Sequence, residues 1–457
     1  MVTWGATLLI FWPGLMSLDS GDQWGQMLRG RYEDAHPAFH TLVTWLITRI
    51  WLSPGMVELA QIAALAVVFA LTLRELAQVG VARWAQVGIV ALFALSPVSN
   101  MMVITLWKDI PCAITLLALF WMLLRVWRTE GAWLRSWRGM GLMALGLALL
   151  SLFRHNGPAV ALLIVSALPM VDRMVRVKQV VVIAEMALGL VVMVRGVLYP
   201  ALDVQPVPPW MARQAQIHQL GAYEAHAASL DAAEQALLER LLPLDEWRRR
   251  YVCYSVVPLL YGDPGMDKGF FDAHVDAFTD LWLRLAVRDP MTLARHQQCI
   301  TSLVWRITQP ADGYLATWQG DLIDNYARNL GIAPSSPVPE VRDRLMSWLR
   351  SLEHPSVIWL VWRPATYLYL ALCCIGIASI RRRSLRMMGL ALPVVAQSLV
   401  WMFVIIVQDF RFQYPVYLIA LVSVGLLFIP GSSGSGEQRF EGGKSGASTA
   451  QAPSGAS

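Results

Sequence analysis

The sequence predicts an all-α polytopic membrane protein of about ten transmembrane helices, with a re-entrant or interfacial helix in the first outer loop and a mostly helical outer-face insert. Hydrophobic residues make up 56% of the 457-residue chain and charged residues only 15%, against roughly 45–50% and about 25% in soluble domains. Mean hydropathy is +0.48. A soluble fold this apolar lacks the polar surface to cover itself, so the excess must face lipid. A cytosolic globular enzyme, a disordered chain and a small disulfide scaffold are thereby excluded. Net charge is +5 with an isoelectric point near 9.0, a balance that in a soluble domain would suggest nucleic acid. Here the basic residues fall in short clusters between apolar segments, where they set orientation in the bilayer; no nucleic-acid partner is expected.

The first apolar stretch, Val2 to Leu18, lacks the basic start and small-residue cleavage site of a signal peptide and is assigned as a span. Ala38 to Leu52 carries His40 and Arg49 and ends at Ser53-Pro54, which makes it the half-buried helix. Further spans are expected at 57–73, 85–98, 110–127, 140–153, 158–171, 180–199, 356–380, 387–407 and 415–429. One alternate set of connections holds Arg74, Arg83, Arg125, Arg128, Arg135, Arg138, Arg173, Arg176, Lys178, Arg381, Arg382, Arg383 and Arg386; the opposite set holds Arg29, Arg31, Lys108, Arg154 and Arg411. The richer set is cytoplasmic by the positive-inside rule, with both termini inside.

Four segments follow. Residues 1–200 form an N-terminal transmembrane module with catalytic outer loops, and 201–355 an extracytoplasmic, periplasmic insert large enough for its own core. Residues 356–430 supply C-terminal transmembrane helices, and 431–457 a Gly/Ser/Ala-rich disordered cytoplasmic tail. Asp231 and Glu234 fit a helix-capping arrangement. Cys112, Cys373 and Cys374 lie in apolar segments, whereas Cys253 and Cys299 fall in the insert and can pair if it is oxidised. The pattern fits a bacterial inner membrane and a role in the cell envelope.

The unusual polar residues collect in the outer connections: Met16-Ser-Leu-Asp-Ser-Gly-Asp-Gln-Trp24 with Tyr32-Glu-Asp-Ala-His-Pro37, Leu106-Trp-Lys-Asp-Ile-Pro111, Phe153-Arg-His-Asn-Gly-Pro158 and Gln408-Asp-Phe-Arg-Phe-Gln-Tyr-Pro415. One such loop is an ordinary interfacial feature whose charges snorkel or cap helices. Four on one side, each with a Pro or Gly beside the charge, point to a wet cavity that opens outward. Ionised carboxylates suit general-base work or a divalent cation, and Arg and Lys suit a phosphate. Together at a lipid boundary they indicate a lipid-linked phosphate substrate. Gly-x-Ser-x-Gly, His-Glu-x-x-His and phosphate-loop signatures are missing.

The order Met-Ser-x-Asp-Ser, Asp-x-His-Pro, Trp-Lys-Asp, Arg-x-Asn-Gly and Arg-x-x-Tyr-Pro, running from Met16 to Pro415, resembles the GT-C superfamily of integral-membrane glycosyltransferases. The resemblance leaves the insert uncovered in detail, although its aromatic run from Phe270-Phe271 to Trp282 is similar to inserts of related families. It implies inverting transfer of a sugar from a polyprenyl-phosphate donor to a lipid, glycan or protein acceptor at the outer face. Asp19 falls where the family places its catalytic acidic residue, and Asp22 is the close rival.

For the remaining candidates, Asp34 would be aimed at the cavity by His36-Pro37 or would only cap the next helix. Asp109 would orient the acceptor or help to hold a metal. Lys108, Arg154 and Arg411 would offset charge on the leaving phosphate. Asn156 and Tyr414 would donate to phosphate or sugar oxygens, or serve a turn and the aromatic belt respectively. Glu33 and His36 complete the candidates, His36 more as a structural partner than as a base. No closed metal-ligand set is visible and no structural metal is expected, although two outer carboxylates with a phosphate could hold Mg²⁺ or Mn²⁺. Trp210, Trp247, Trp305 and Trp318 suit either sugar stacking or a core. The alternative function is a transporter or flippase of a lipid-linked glycan, or a non-catalytic assembly partner.

Overall fold

Local chemistry sets where the helices start and stop in the computed structural model, which describes residues 1–226, 230–310, 329–333 and 335–430. Helix α1 (Val2–Ile10) ends before Trp12-Pro13, and Gly14 follows at φ +109°. A Cβ at Gly14 would overlap the Glu58 carboxylate, which accepts the Leu15 N–H at 3.1 Å. The chain therefore turns here, well short of the expected boundary at Leu18. Helix α2 (Leu18–Arg29) closes at Gly30 in the left-handed region, and α3 (Ala38–Ile47) takes the place of the expected half-buried helix. Pro54 opens α4 (Pro54–Gln78), a position where its missing N–H costs nothing. Pro97 separates α5 (Arg83–Leu95) from α6 (Pro97–Val103) with a 60° bend, because a proline ring crowds the preceding turn.

Helix α7 (Asp109–Arg128) starts with an acidic residue and ends with Arg125 and Arg128, which complement its dipole. Then come α8 (Trp137–Phe153), α9 (Gly157–Ser166) and the long α10 (Val177–Ala201). The insert contributes α11 (Gln214–Ala225), α12 (Ala232–Leu241), α13 (Leu244–Arg250), α14 (Val257–Tyr261), α15 (Val275–Arg288), α16 (Pro290–Ile300) and α17 (Pro339–Ser351). The chain finishes with α18 (Pro364–Arg381), α19 (Leu385–Val404) and α20 (Phe410–Phe428). Among the described residues β-pairing is confined to isolated bridges.

Six described helices, α4, α7, α10, α18, α19 and α20, are long and apolar enough to cross a membrane, or seven if the bent α5–α6 pair is one span. The expectation of about ten also counted α1, α8 and α9. These are apolar but have 9, 17 and 10 residues, fewer than the roughly 20 a lone helix needs to span. Hydropathy windows merge such helices with the turns that flank them.

Helices α7 and α20 pack together at the centre, with 78% and 83% of their apolar windows buried, whereas α10 has only 11%. On α10 the side chains of Leu188, Met193 and Val197 are 63–65% exposed. A helix this apolar and this uncovered suits lipid, not water, so the architecture is compatible with a multi-pass membrane protein.

The insert has a separate hydrophobic core in which Tyr223, Trp247, Phe271 and Phe278 are fully buried. Asp231 and Glu234 exchange the anticipated capping bonds, at 2.8 and 3.1 Å. Cys253 and Cys299 form a disulfide that ties the loop before α14 to α16. Trp247 serves the core, while Trp210 and Trp305 are half-buried; Trp318 and the expected tail 431–457 lie outside the described residues.

Candidate functional site

Short segments at the starts of helices build the site, and two of them are joined first. The Leu15 N–H donates to the Ile104 carbonyl and the Leu106 N–H to the Leu15 carbonyl, at 2.9 and 2.8 Å. This bridge lays the start of α2 beside the start of α7, and the Trp107 indole N–H clamps the Ser17 hydroxyl at 2.6 Å. Asp19, in the first turn of α2, then faces Lys108. The Lys108 ammonium donates to Asp19 Oδ2 at 3.2 Å and lies 3.2 Å from His36 Nδ1. Arg411 donates to the same Asp19 oxygen at 2.9 Å and sits 3.0 Å from Asp409.

Deeper in, Arg154 pairs with Asp109, and Arg411 Nε lies 4.0 Å from the other Asp109 oxygen. Asn156 Oδ1 accepts from Arg154 Nε at 3.2 Å, and the guanidinium lies over Trp401 and Phe412 at 4.8 and 4.9 Å. Three carboxylates thus interlock with three cations. Buried charge persists only with such partners, because the isolated ions would be strongly desolvated.

Burial alone would raise the Asp19 carboxyl, but the Lys108 and Arg411 charges outweigh it and hold Asp19 well below the usual carboxylate range. Burial, reinforced by Lys108, pushes the His36 imidazole down to about 3, so it is neutral. Burial also lowers Lys108 to about 8, against the pull of Asp19. Asp409 is raised by burial despite Arg411.

A cavity of about 990 Å³ opens on this network. Asp19, Asp22, His36, Asp409 and Arg411 line it from the bundle, and Tyr254 and Tyr261 from the insert. The insert side is tied down beside the site: Val256 N–H donates to the Ile406 carbonyl at 2.9 Å and Gln408 N–H to the Tyr254 carbonyl at 3.0 Å. The Gln408 side chain also donates to the Cys299 carbonyl and to Ser302 Oγ, at 2.9 and 2.8 Å. A second, almost wholly apolar groove of about 400 Å³ runs between α3, α4, α7 and α8, with His40, Val57, Pro111 and Phe153 in its walls.

The structure gathers Asp19, Lys108, Asp109, Arg154, Arg411, His36 and Asn156 into one network. Asp22 lines the cavity and accepts from Gln26 at 2.8 Å, with no cation partner among the described residues. Asp34 is placed differently: its carboxylate accepts the Ala38 N–H at 2.9 Å, the helix-capping role, and its carbonyl meets His155 Nε2 at 2.8 Å. Glu33 is exposed, and Tyr414 is fully buried in the bundle beside Tyr417.

Asp409 was missed as a site residue although it stands two positions before Arg411 in the same polar motif. Trp107, next to Lys108, was legible in the same way. Tyr254 and Tyr261 had no comparable signal, because only the fold carries the insert back to the bundle.

Among the described residues no group of three or more His, Cys, Asp or Glu side chains is arranged to hold a metal ion. Mg²⁺ or Mn²⁺ at Asp19 or Asp109 would have to displace the Lys or Arg already paired there. These residues therefore fit a divalent ion poorly, and no step below runs through one. Compared with family models, curated proteins and solved structures, the chain matches none of them.

Proposed function

We propose that this protein is an inverting membrane glycosyltransferase, which moves a sugar from a polyprenyl-phosphate donor to a lipid, glycan or protein acceptor. One observation carries this reading: a carboxylate, Asp19, is held ionised by Lys108 and Arg411 in a cavity at one end of an apolar helical bundle. In the proposed reaction the donor phosphate draws Lys108 and Arg411 from Asp19, which raises its basicity where the acceptor arrives. Asp19 takes the proton of the acceptor hydroxyl, and that oxygen attacks the anomeric carbon from the face opposite the phosphate. The anomeric C–O bond breaks, its electron pair leaves with polyprenyl phosphate, and configuration inverts. Lys108 and Arg411 offset the phosphate charge, where fixed cations lower a barrier most. Asp109, between Arg154 and Arg411, holds the two guanidinium groups in place against their mutual repulsion.

The apolar groove beside α3 and α4 suits the donor's lipid chain, and Tyr254 and Tyr261 line the side of the cavity where an acceptor would enter from the insert. We place the cavity at the outer face of a bacterial inner membrane, with residues 201–355 in the periplasm and both termini in the cytoplasm. The division into modules 1–200, 201–355 and 356–430 belongs to the same reading. Support comes from charge: Arg128, Arg173, Arg382, Arg383 and Arg386 gather around a different cavity, away from Asp19.

A flippase or an assembly partner would use the same cavity without consuming the donor. The test is incubation of the purified protein with radiolabelled polyprenyl-phosphate monosaccharides and membrane-extract acceptors. Transfer that Asp19→Asn abolishes supports the enzyme. Donor that crosses the bilayer intact supports a flippase.

A further inference from the structure

We infer that the end of the bundle remote from Asp19 carries a binding site for the phosphodiester headgroup of an anionic phospholipid. Helix α7 separates the two regions: Asp109 at its start belongs to the acidic network, and Arg128 at its end lines a cavity of about 870 Å³. Twenty helical residues span about 30 Å, so the two cavities address opposite ends of the bundle.

Five arginines line this second cavity: Arg128, Arg173, Arg382, Arg383 and Arg386. The ordinary explanation is that they neutralise buried acids or cap helix ends, and it accounts for some of them. Arg128 and Arg125 share Glu75, at 2.7 and 3.4 Å. Arg386 holds Asp172 at 3.1 Å, while the other Asp172 oxygen accepts the Met174 N–H at 2.8 Å. Arg382 donates to the Pro430 carbonyl at 2.6 Å.

Arg173 and Arg383 are left over. Both are exposed at the cavity, and among the described residues neither guanidinium makes a hydrogen bond or an ion pair; the Arg383 backbone N–H alone is spent, on the Ile380 carbonyl. The buried acids are already consumed, and among the described residues that line the cavity only exposed Glu130 opposes the surplus positive charge. A phosphate accepts forked donation from guanidinium groups, which matches what is unspent here.

The same wall identifies the source of the phosphate. Leu385 lines the cavity and is 87% exposed, and half-buried Val79 and Trp127 line it too; outside the lining, Met170 and Val177 lie within four residues of Arg173 in the chain and are 68% and 73% exposed. Unsatisfied arginines beside uncovered aliphatic side chains match a molecule with a phosphate at one end and acyl chains at the other. Basic pockets between membrane helices recognise such headgroups by charge and hydrogen bonding. The site is independent of the chemistry at Asp19.

The full chain in detergent would be titrated with phosphatidylglycerol, phosphatidylcholine and glycerol phosphate while thermal unfolding is followed. Phosphatidylglycerol should stabilise the wild type and phosphatidylcholine should not. R173Q/R383Q should weaken the phosphatidylglycerol effect roughly tenfold to thirtyfold in concentration. R74Q/R83Q removes the same charge from exposed residues at the same end but outside the cavity, and should change it less than about twofold. Equal weakening in both double variants would overturn the site in favour of general attraction between charges. Equal protection of the wild type by phosphatidylcholine, or by glycerol phosphate at matched concentration, would also overturn it. The wild-type comparison stands even if a variant folds poorly.

Discussion

Lys108 and Asp19, 89 residues apart in sequence, meet through a single 3.2 Å hydrogen bond beside the cavity that Asp19 lines. Arg411 meets the same oxygen from the far end of the chain. In this arrangement Asp19 is a weak base, because two cations stabilise its ionised form. A phosphate that recruits both cations would strengthen it only when donor is bound, so that proton removal is coupled to the presence of a leaving group.

Replacement of Asp19 by Asn should therefore lower transfer by roughly 10²–10⁴, the usual contribution of a positioned base. Asp22→Asn, which removes a cavity carboxylate that has no cation partner among the described residues, should lower it less than about tenfold. Rates on purified, folded variants check both. Equal losses would remove the distinction between the two residues.

Lys108 gives the site a pH dependence. Burial brings its pKa to about 8, so kcat/KM should fall as pH rises through that value and the cation is lost. Lys108→Arg should move this alkaline limb above about pH 10, since a guanidinium stays protonated. Stability should respond in the opposite sense. The folded pKa lies below the ordinary 10.5, so the unfolded chain binds more protons between the two values and the Lys108 contribution becomes more favourable as pH rises through that window. Thermal unfolding of wild type against Lys108→Met over this range reads it directly.

The Asp109–Arg154 pair is buried, with side chains 1% and 11% exposed. Removal of Asp109 alone should destabilise the protein by about 3–5 kcal/mol, because Arg154 is left charged and short of a partner. The double variant Asp109→Leu with Arg154→Met should recover most of that stability while activity stays low. Unfolding midpoints and transfer rates, measured together, separate the structural role from the functional one.

The Cys253–Cys299 disulfide closes a 46-residue separation beside Tyr254. Its replacement by serines should cost roughly 2–4 kcal/mol of stability. Because Tyr254 and Gln408 share a backbone bond, the KM for acceptor should rise more than kcat falls. Steady-state kinetics in oxidising buffer, with wild type as reference, test this.

Much of this organisation was legible in the sequence because membrane segments obey strong rules. Apolar composition anticipated long apolar helices, and the polar motifs at Lys108, Arg154 and Arg411 anticipated that these cations would lie together; the arginine-rich connections were read only as orientation anchors, with no sign of the cavity that they line. The individual boundaries were less legible. Pro13 and Gly14 end α1 inside an apolar run, and α8 and α9 are shorter than the windows that detected them. At the site, motif proximity found Asp19, Lys108, Asp109, Arg154 and Arg411, but it did not reveal that Asp34 spends its carboxylate on the Ala38 N–H. Nor did it reveal Tyr254 and Tyr261, whose place depends on how the insert folds back.

The most direct test of the central claim is release of free polyprenyl phosphate, measured by mass spectrometry of lipids extracted after incubation of donor and acceptor with wild type or Asp19→Asn. The wild type is predicted to convert donor to free polyprenyl phosphate in step with sugar appearing on acceptor, while Asp19→Asn leaves the donor intact. Release at equal rates by both proteins, or intact donor with a folded, donor-bound wild type, would contradict it.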